Sequence, residues 1–311
     1  MHRLPLVVTL VSWTFLAVGC DQLTATTQAV SVLTASPDLA TADGFDAQLT
    51  SLGLIDLDTL SANSAVGIAV GVAEKQSATS TAAPTAVEGA LVHIAWSAGN
   101  VALCSGGDLA AGTYSASNVP QPSLPSCSSA ALAYLADDTY TTTIETSSSQ
   151  HTIRVVAPPP IAAGDGVFTP ALGTSPISGL SLKSHELSAA LSVDWGGAPE
   201  AGDRHAFVTI ARINFAGDTA DAMSVATAAN WTADAQNPVY NSAPTEPSQM
   251  IALVINPPET SADIPADVFS QAGLYFLIVT TAELSTDVSS NLAIGSGGSA
   301  GKGTAFVFFV N

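Results

Sequence analysis

Charged side chains, and basic ones above all, are scarce in this chain. Of its 311 residues only 7 are Lys or Arg, against 26 Asp or Glu, so the formal net charge is −19. A surface of this sign repels nucleic-acid phosphates and anionic headgroups, which argues against nucleic-acid binding and against a basic membrane patch. The charged content of 11% is too low, and the hydrophobic content of 47% too high, for an intrinsically disordered chain.

Long apolar runs are also lacking, and the opening one is short. It covers about 15 residues, fewer than the ~20 that span a bilayer. Arg3 precedes it and small residues follow, so residues 1–19 are predicted to be a signal peptide. The AVGC of positions 17–20 resembles the bacterial lipobox, with alanine where that family usually has leucine. The resemblance implies that Cys20 is acylated, carries palmitate and begins the mature chain. The alternative is an ordinary secretory signal in which Cys20 is incidental.

Cysteine is rare, with three residues in all. Lipidation of Cys20 leaves Cys104 and Cys127, and an even remainder in an oxidising compartment predicts one disulfide. A loop of this size gives a stabilisation of ~3 kcal/mol in the chain-entropy model. The alternative is a pair of buried free thiols.

Two hairpins are predicted in the first half. Residues 90–96 alternate apolar and less apolar side chains, and residues 97–100 supply a turn. Residues 138–146 and 151–157 are rich in Thr, Tyr, Ile and Val and flank a serine-rich turn. Three prolines at 158–160 end this ladder, because proline has no backbone donor.

The second half repeats the β pattern with few helical signals. Its predicted strands are 187–195, 205–215, 249–258, 273–281 and 303–310. Short helices are considered at 46–60, 218–230 and 265–272. The fold class is therefore predicted to be all-β, with a Thr/Ser/Ala-rich tether at 20–50 and two β-sandwich domains at 51–160 and 161–311.

Two stretches carry resemblances beyond the leader. GTYSASN (112–118), followed by residues 133–160, resembles immunoglobulin-like or fibronectin-like modules of bacterial surface proteins. IPADVFSQAGLYFLIVTT (264–281) and residues 291–310 are similar to uncharacterised envelope lipoproteins of myxobacteria-like sources. These resemblances imply a sandwich fold and an envelope location, and they imply no activity.

Catalytic motifs fail when their surroundings are considered. Gly297 to Gly301 match G-x-S-x-G, but no histidine follows them, so a flexible glycine-serine turn is predicted instead. The next residues, GKGT, are similar to a phosphate loop, but Ser296 stands where that motif needs glycine. His185-Glu186 begins H-E-x-x-H, whose second histidine is replaced by Ala189.

The remaining candidates have simpler interpretations. The other histidines considered are predicted to lie on strand or loop surfaces, namely His93, His151 and His205. The tryptophans are predicted to pack in the core or at strand ends, namely Trp96, Trp195 and Trp231. Carboxylates that could hold Ca²⁺ are more simply a solvated acidic surface, namely Asp56, Asp58, Asp194, Glu200 and Asp203.

We therefore predict no catalytic, cofactor-binding or metal-binding residue. The leading hypothesis is an exported protein anchored in the cell envelope through a lipid on Cys20, with a non-enzymatic binding or structural role. The outer membrane is favoured over the inner one, and the partner is expected to be an envelope protein or polysaccharide. The alternatives are an exported hydrolase whose site is assembled only in three dimensions, and a calcium-dependent adhesion module.

Overall fold

The structure is a computed structural model of the chain. It describes residues 26–39, 65–76, 83–119, 127–160, 173–174, 183–194, 204–215, 231–233, 239–242, 261–293 and 295–311. The predicted signal peptide and Cys20 lie outside these residues, as do the segments 46–60, 218–230 and 249–258.

The described residues form seventeen strands and one short 3-10 helix. The strands are β1 (Thr26–Leu39), β2 (Val66–Lys75), β3 (Thr85–Ala86), β4 (Leu91–Trp96), β5 (Gly99–Ala102), β6 (Thr113–Ser117), β7 (Thr139–Glu145), β8 (Gln150–Val156), β9 (Gly173–Thr174), β10 (Lys183–His185), β11 (Leu191–Asp194), β12 (Arg204–Phe215), β13 (Trp231–Ala233), β14 (Tyr240–Asn241), β15 (Ser261–Ile264), β16 (Gly273–Ser285) and β17 (Gly297–Val310). The helix, Ala266–Phe269, falls within the predicted 265–272. The prediction of an all-β chain is confirmed for the part of the chain that the structure describes.

The largest sheet runs in the order β13-β12-β16-β17-β1-β2-β3, with β6 also on β2. Strand β1 is central in it, pairing parallel with β17 and antiparallel with β2. Beyond the end of β1, the last residues of β17 pair in parallel with β10. A four-stranded sheet, β5-β4-β7-β8, and a two-stranded sheet, β11-β15, complete the described architecture.

Two hydrophobic cores lie along this framework, and β17 contributes to both. The first core lies between the four-stranded sheet and the β1-β2-β6 part of the large sheet, and it includes Ala300 of β17. The second lies among β11, β12, β15 and β16, and it includes Phe308 and Val310 of β17. The predicted division at residue 160 therefore does not separate the sheets, because residues 297–305 complete the sheet of the first half.

The predicted hairpins are confirmed. β4 and β5 are joined by a two-residue turn, and β7 pairs with β8 from Thr139–Val156 to Glu145–Gln150. Along β4 the alternation also holds, since Val92 and Ile94 are buried whereas Leu91 is 68% exposed. Period-two burial is what one covered sheet face requires.

Two predictions about local structure are wrong. The predicted tether at 20–50 contains the 14-residue strand β1, whose buried face is made largely of small residues. The predicted glycine-serine turn at 297–301 is the regular start of β17, paired on one edge with β1 and on the other with β16. Its glycines allow neighbours to approach closely: a Cβ on Gly298 would lie 2.9 Å from Cγ2 of Ile153 in β8.

Candidate functional site

The most organised polar cluster joins the β7-β8 turn to the connection between β16 and β17. Strand β8 extends its pairing to this connection, because the amide of Arg154 donates to the carbonyl of Asp287 at 2.9 Å. The amide of Ser289 donates to the carbonyl of Thr152, also at 2.9 Å. This local pairing brings Asn291 beside the beginning of β8.

His151 is the centre of the cluster and is only 2% exposed. Its Nδ1 lies 3.0 Å from Oδ1 of Asn291, and its Nε2 lies 2.8 Å from Oγ of Ser149. The amide nitrogen of Asn291 donates to the carbonyl of Gln150 at 3.1 Å, which leaves Oδ1 to accept from Nδ1–H. In the neutral ring, Nε2 is then the acceptor for the Ser149 hydroxyl.

Ser149 belongs to a tight turn that Thr146 organises. The amide of Thr146 donates to the carbonyl of Ser149 at 2.8 Å, and the amide of Ser149 donates to Oγ1 of Thr146 at 3.1 Å. The two hydroxyl oxygens lie 2.9 Å apart. A serine nucleophile needs backbone amides that donate to the oxyanion formed on its substrate. The amide of Ser149 cannot serve as such a donor, because it already donates to Thr146.

Two chemical roles are open to this arrangement. In nucleophilic serine sites, a serine hydroxyl bonds to Nε2 of a histidine while a third side chain holds Nδ1, and Ser149, His151 and Asn291 follow the same order. The same bonds also tie the β7-β8 hairpin to the β16-β17 connection and satisfy the polar atoms of a buried ring. The second role needs no further groups, whereas the first also needs donors for an oxyanion.

The surface prediction for two histidines is wrong. His151 and His205 lie on strands but are buried. His151 occupies an inward position of the alternating strand β8, whereas His205 lies in a part of β12 where the consecutive residues 205–208 are all buried. For His151 the signal was present in the sequence, since it shares the buried face of β8 with Ile153 and Val155. Its partner Asn291 lies 140 positions away and could not have been identified from the sequence. His93 lies on β4 and is half-buried.

The other motif residues have structural roles. The Nε2 atom of His185 lies 2.9 Å from the carbonyl of Ala189, and its ring meets Phe269 edge-on at 4.7 Å between centroids. In β17, Nζ of Lys302 lies 2.7 Å from a carboxylate oxygen of Asp38 on the neighbouring strand. Neither the histidine nor the lysine is directed toward a ligand site by these contacts.

Of the carboxylates considered as calcium ligands, only one lies among the described residues. Asp194 lies exposed at the end of β11, whereas Asp56, Asp58, Glu200 and Asp203 lie outside the described residues. Within the described part of the chain, no three His, Cys, Asp or Glu side chains converge as a metal site would require.

The structure joins Cys104 to Cys127, as predicted, with their Cα atoms 5.4 Å apart. Cys104 also pairs with Ser115 through two backbone bonds of 3.0 and 2.9 Å. The predicted core position of Trp96 is confirmed, since its ring stacks on that of Tyr140 at 5.9 Å. Trp195 lies outside the described residues, and Trp231 begins β13.

An ionic link connects strands of the second core to the turn before β7. The guanidinium of Arg204 on β12 lies 3.3 Å from Asp137 of the turn and 3.1 Å from Glu283 of β16. Burial opposes the charge of Arg204, but the bonds to the two carboxylates outweigh it and raise its pKa. Burial, with smaller contributions from neighbouring charges, also raises the pKa of Tyr134 far above its ordinary range.

A further carboxylate of this turn has a lowered pKa. The hydroxyl and the amide of Ser97 both donate to Asp138, and the hydroxyl bond is the main reason that the pKa of this carboxyl lies below its ordinary value. Because these bonds lie at a solvent-accessible turn and Ser97 carries no charge, they fix the local turn geometry and add little stability.

Comparison with protein-family models and with curated proteins finds no match for this chain. Among the residues that the structure describes, no helix has the length and apolar character needed to cross a bilayer.

Proposed function

We propose that this chain is an exported protein anchored in the cell envelope by a lipid on Cys20, with a non-enzymatic binding or structural role. The observation that carries the proposal is the Cys104–Cys127 disulfide, because such bonds persist in oxidising compartments outside the cytoplasm. The leader, with its likeness to the lipobox, supplies the route and the anchor. We propose that the anchor lies in the outer membrane. We also propose that the two cores belong to two sandwich units, of which the first is immunoglobulin-like.

An all-β body suits a partner in the envelope, such as a protein or a polysaccharide. Strands hold exposed loops and edges in fixed positions, and binding residues on such a scaffold need no catalytic group. The net charge of −19 favours a neutral or cationic partner over an anionic one.

The anchor is tested by labelling growing cells with radioactive palmitate. The wild-type chain should incorporate label and sediment with membranes, whereas Cys20→Ala should do neither. Thr24→Ala is the matched control, since it alters the same region and leaves the acceptor cysteine intact. A Cys20→Ala chain that remains labelled and membrane-bound would refute the proposal.

A second candidate function, ester hydrolysis, is favoured by the hydrogen bonds of His151. In this case Ser149 Oγ attacks the carbonyl carbon of an ester while its proton passes to His151 Nε2, and the alcohol leaves with that proton. Water then gives a proton to His151 Nε2 and attacks the acyl carbon; the bond from this carbon to Oγ breaks, the carboxylic acid leaves, and His151 passes the proton from water to Oγ. Asn291 positions the ring throughout.

A fluorophosphonate probe distinguishes this function from the structural role of the cluster. A nucleophilic Ser149 predicts labelling of the native chain that is lost in Ser149→Ala and kept in Ser148→Ala, whose hydroxyl lies outside the His151 contacts. Absence of labelling in the native chain would eliminate hydrolysis and leave the binding role.

A further inference from the structure

The first described strand begins very close to the predicted lipid. Thr26, the first residue of β1, follows Cys20 by six positions, and β1 lies inside the largest sheet. A chain rises by at most ~3.3–3.6 Å per residue, so six residues reach about 20 Å at most, whatever their conformation. A long flexible tether between the lipid and the folded body is thus excluded.

We propose that the lipid holds one particular end of the molecule against the bilayer and directs the second core away from it. This inference rests on the proposed lipidation of Cys20. The partner of the membrane-proximal end is the lipid surface itself, and covalent attachment rather than charge holds it there.

The membrane-proximal end is identified by strand pairing. Thr26 pairs with Lys75, and Thr27 forms a bridge with Leu292. Asn291, beside Leu292, bonds to His151 at the start of β8, which places the β7-β8 turn at the same end. This end therefore consists of the start of β1, the end of β2, the β7-β8 turn and residues 289–293.

Its exposed residues are mainly hydroxyl and amide side chains, namely Ser147, Ser148, Gln150, Ser290 and Asn291, and the carboxylate of Glu74 is exposed beside them. The hydroxyl and amide side chains can lie at a hydrated headgroup surface without the desolvation cost of unpaired charges.

The distal end is identified by the parallel pairing of β1 and β17. The two strands run in the same direction, from Val30–Gly297 to Leu39–Ala305, and β17 then continues to Val310. At ~3.3 Å per residue, β17 extends about 45 Å away from the anchored end. The second core, which contains Phe308 and Val310, lies around this far half. The 3-10 helix before β16 lies there too, because Gly273 pairs with Val310.

Energy transfer from single labelled cysteines to an acceptor lipid tests this orientation. Ser290→Cys marks the proximal end and Ser270→Cys marks the distal end, and both positions are exposed. The full lipidated chain is labelled with its disulfide intact and reconstituted in vesicles that contain a headgroup-labelled acceptor. The acceptor is chosen so that the distance over which transfer is efficient lies between the expected distances of positions 290 and 270 from the vesicle surface.

We expect transfer from position 290 to exceed that from position 270 several-fold. A flexible Gly/Ser insert of about 20 residues after Asp21 should remove most of this difference, because it lets the body tumble away from the surface. Equal transfer from both positions in chains that float with the vesicles would overturn the orientation while leaving the lipid anchor intact. Chains that do not float would refute the anchor itself, and the orientation with it.

Discussion

Gly298 lies where β8 packs against β17, and replacing it should be costly. A Cβ at this position would lie 2.9 Å from Cγ2 of Ile153 and 3.4 Å from Cβ of Val155. Contacts of 2.9 Å between carbon atoms are well inside the ~3.5–4.0 Å optimum, so the strands must separate or a side chain must leave its rotamer. Overpacking of this kind costs about 1–3 kcal/mol, which is our expectation for the loss of unfolding free energy in Gly298→Ala.

Gly71 provides a matched control on β2 of the same sheet. It is exposed, and an added Cβ would meet no atom within 4 Å. Because alanine restricts the unfolded chain more than glycine does, Gly71→Ala should be neutral or stabilising by about 0.5–1 kcal/mol. Urea denaturation of both variants gives the midpoint and slope needed for the comparison.

A double-mutant cycle localises the effect. In an Ile153→Ala background the Cγ2 atom is gone, so Gly298→Ala should lose most of its cost. If Gly298→Ala were instead as harmless as Gly71→Ala, the close approach of β8 to β17 would be wrong, and with it the packing of the first core.

Three further outcomes are expected. Replacing Cys104 and Cys127 by serine should lower the unfolding free energy by ~3 kcal/mol, as urea midpoints would show. Reductant should cause no further loss in the variant, because its disulfide is already absent. Gly112→Ala should destabilise strongly, because Gly112 has φ +74° and an added Cβ would lie 2.6 Å from a backbone carbonyl oxygen; a melting temperature equal to wild type would contradict this. Ser97→Ala should raise the pKa of Asp138 toward its ordinary value. The ionised carboxylate adds a small stability at pH above its unfolded pKa, and this stability is lost as the pH falls through the folded pKa. The contribution should therefore diminish in the variant. A carboxyl NMR titration measures this shift, and an unchanged titration would show that the Ser97 bond is not its cause.

The hairpins could be predicted from the sequence because their signals are local. Along β4 the inward positions are occupied by apolar side chains such as Val92 and Ile94, and a turn follows immediately. Period-two burial of this kind is visible in a short window of residues, and the pairing partner is only a few positions away.

The sequence does not predict β1 because the buried face of this strand has little hydrophobic contrast. Thr27, Ala29 and Ser31 point inward beside Leu33, so a strand at the centre of a sheet resembles a Thr/Ser/Ala-rich linker. Ser31 is accommodated by a hydrogen bond of 2.8 Å to Thr142 of the facing sheet. Small inward residues allow the two sheets to approach, and this packing depends on distant parts of the chain that no local pattern reveals.

The cluster around His151 was out of reach for a similar reason. Burial of His151 follows from the alternation along β8, but its contact with Asn291 depends on a connection far along the chain. Likewise, the glycines of β17 predict a turn because glycine usually marks one, whereas in the structure they permit close packing of strands.

The pairing of β1 with β17 also governs when this protein can fold. Ser296 and Ala29 are 267 positions apart and yet hydrogen-bonded, so contacts of very large sequence separation complete the sheet. Neither core is finished without β17, which supplies Ala300 to one and Phe308 to the other. A chain passing through a narrow translocation channel would therefore stay unfolded until this late segment had emerged, and structure would then form slowly but only on the far side.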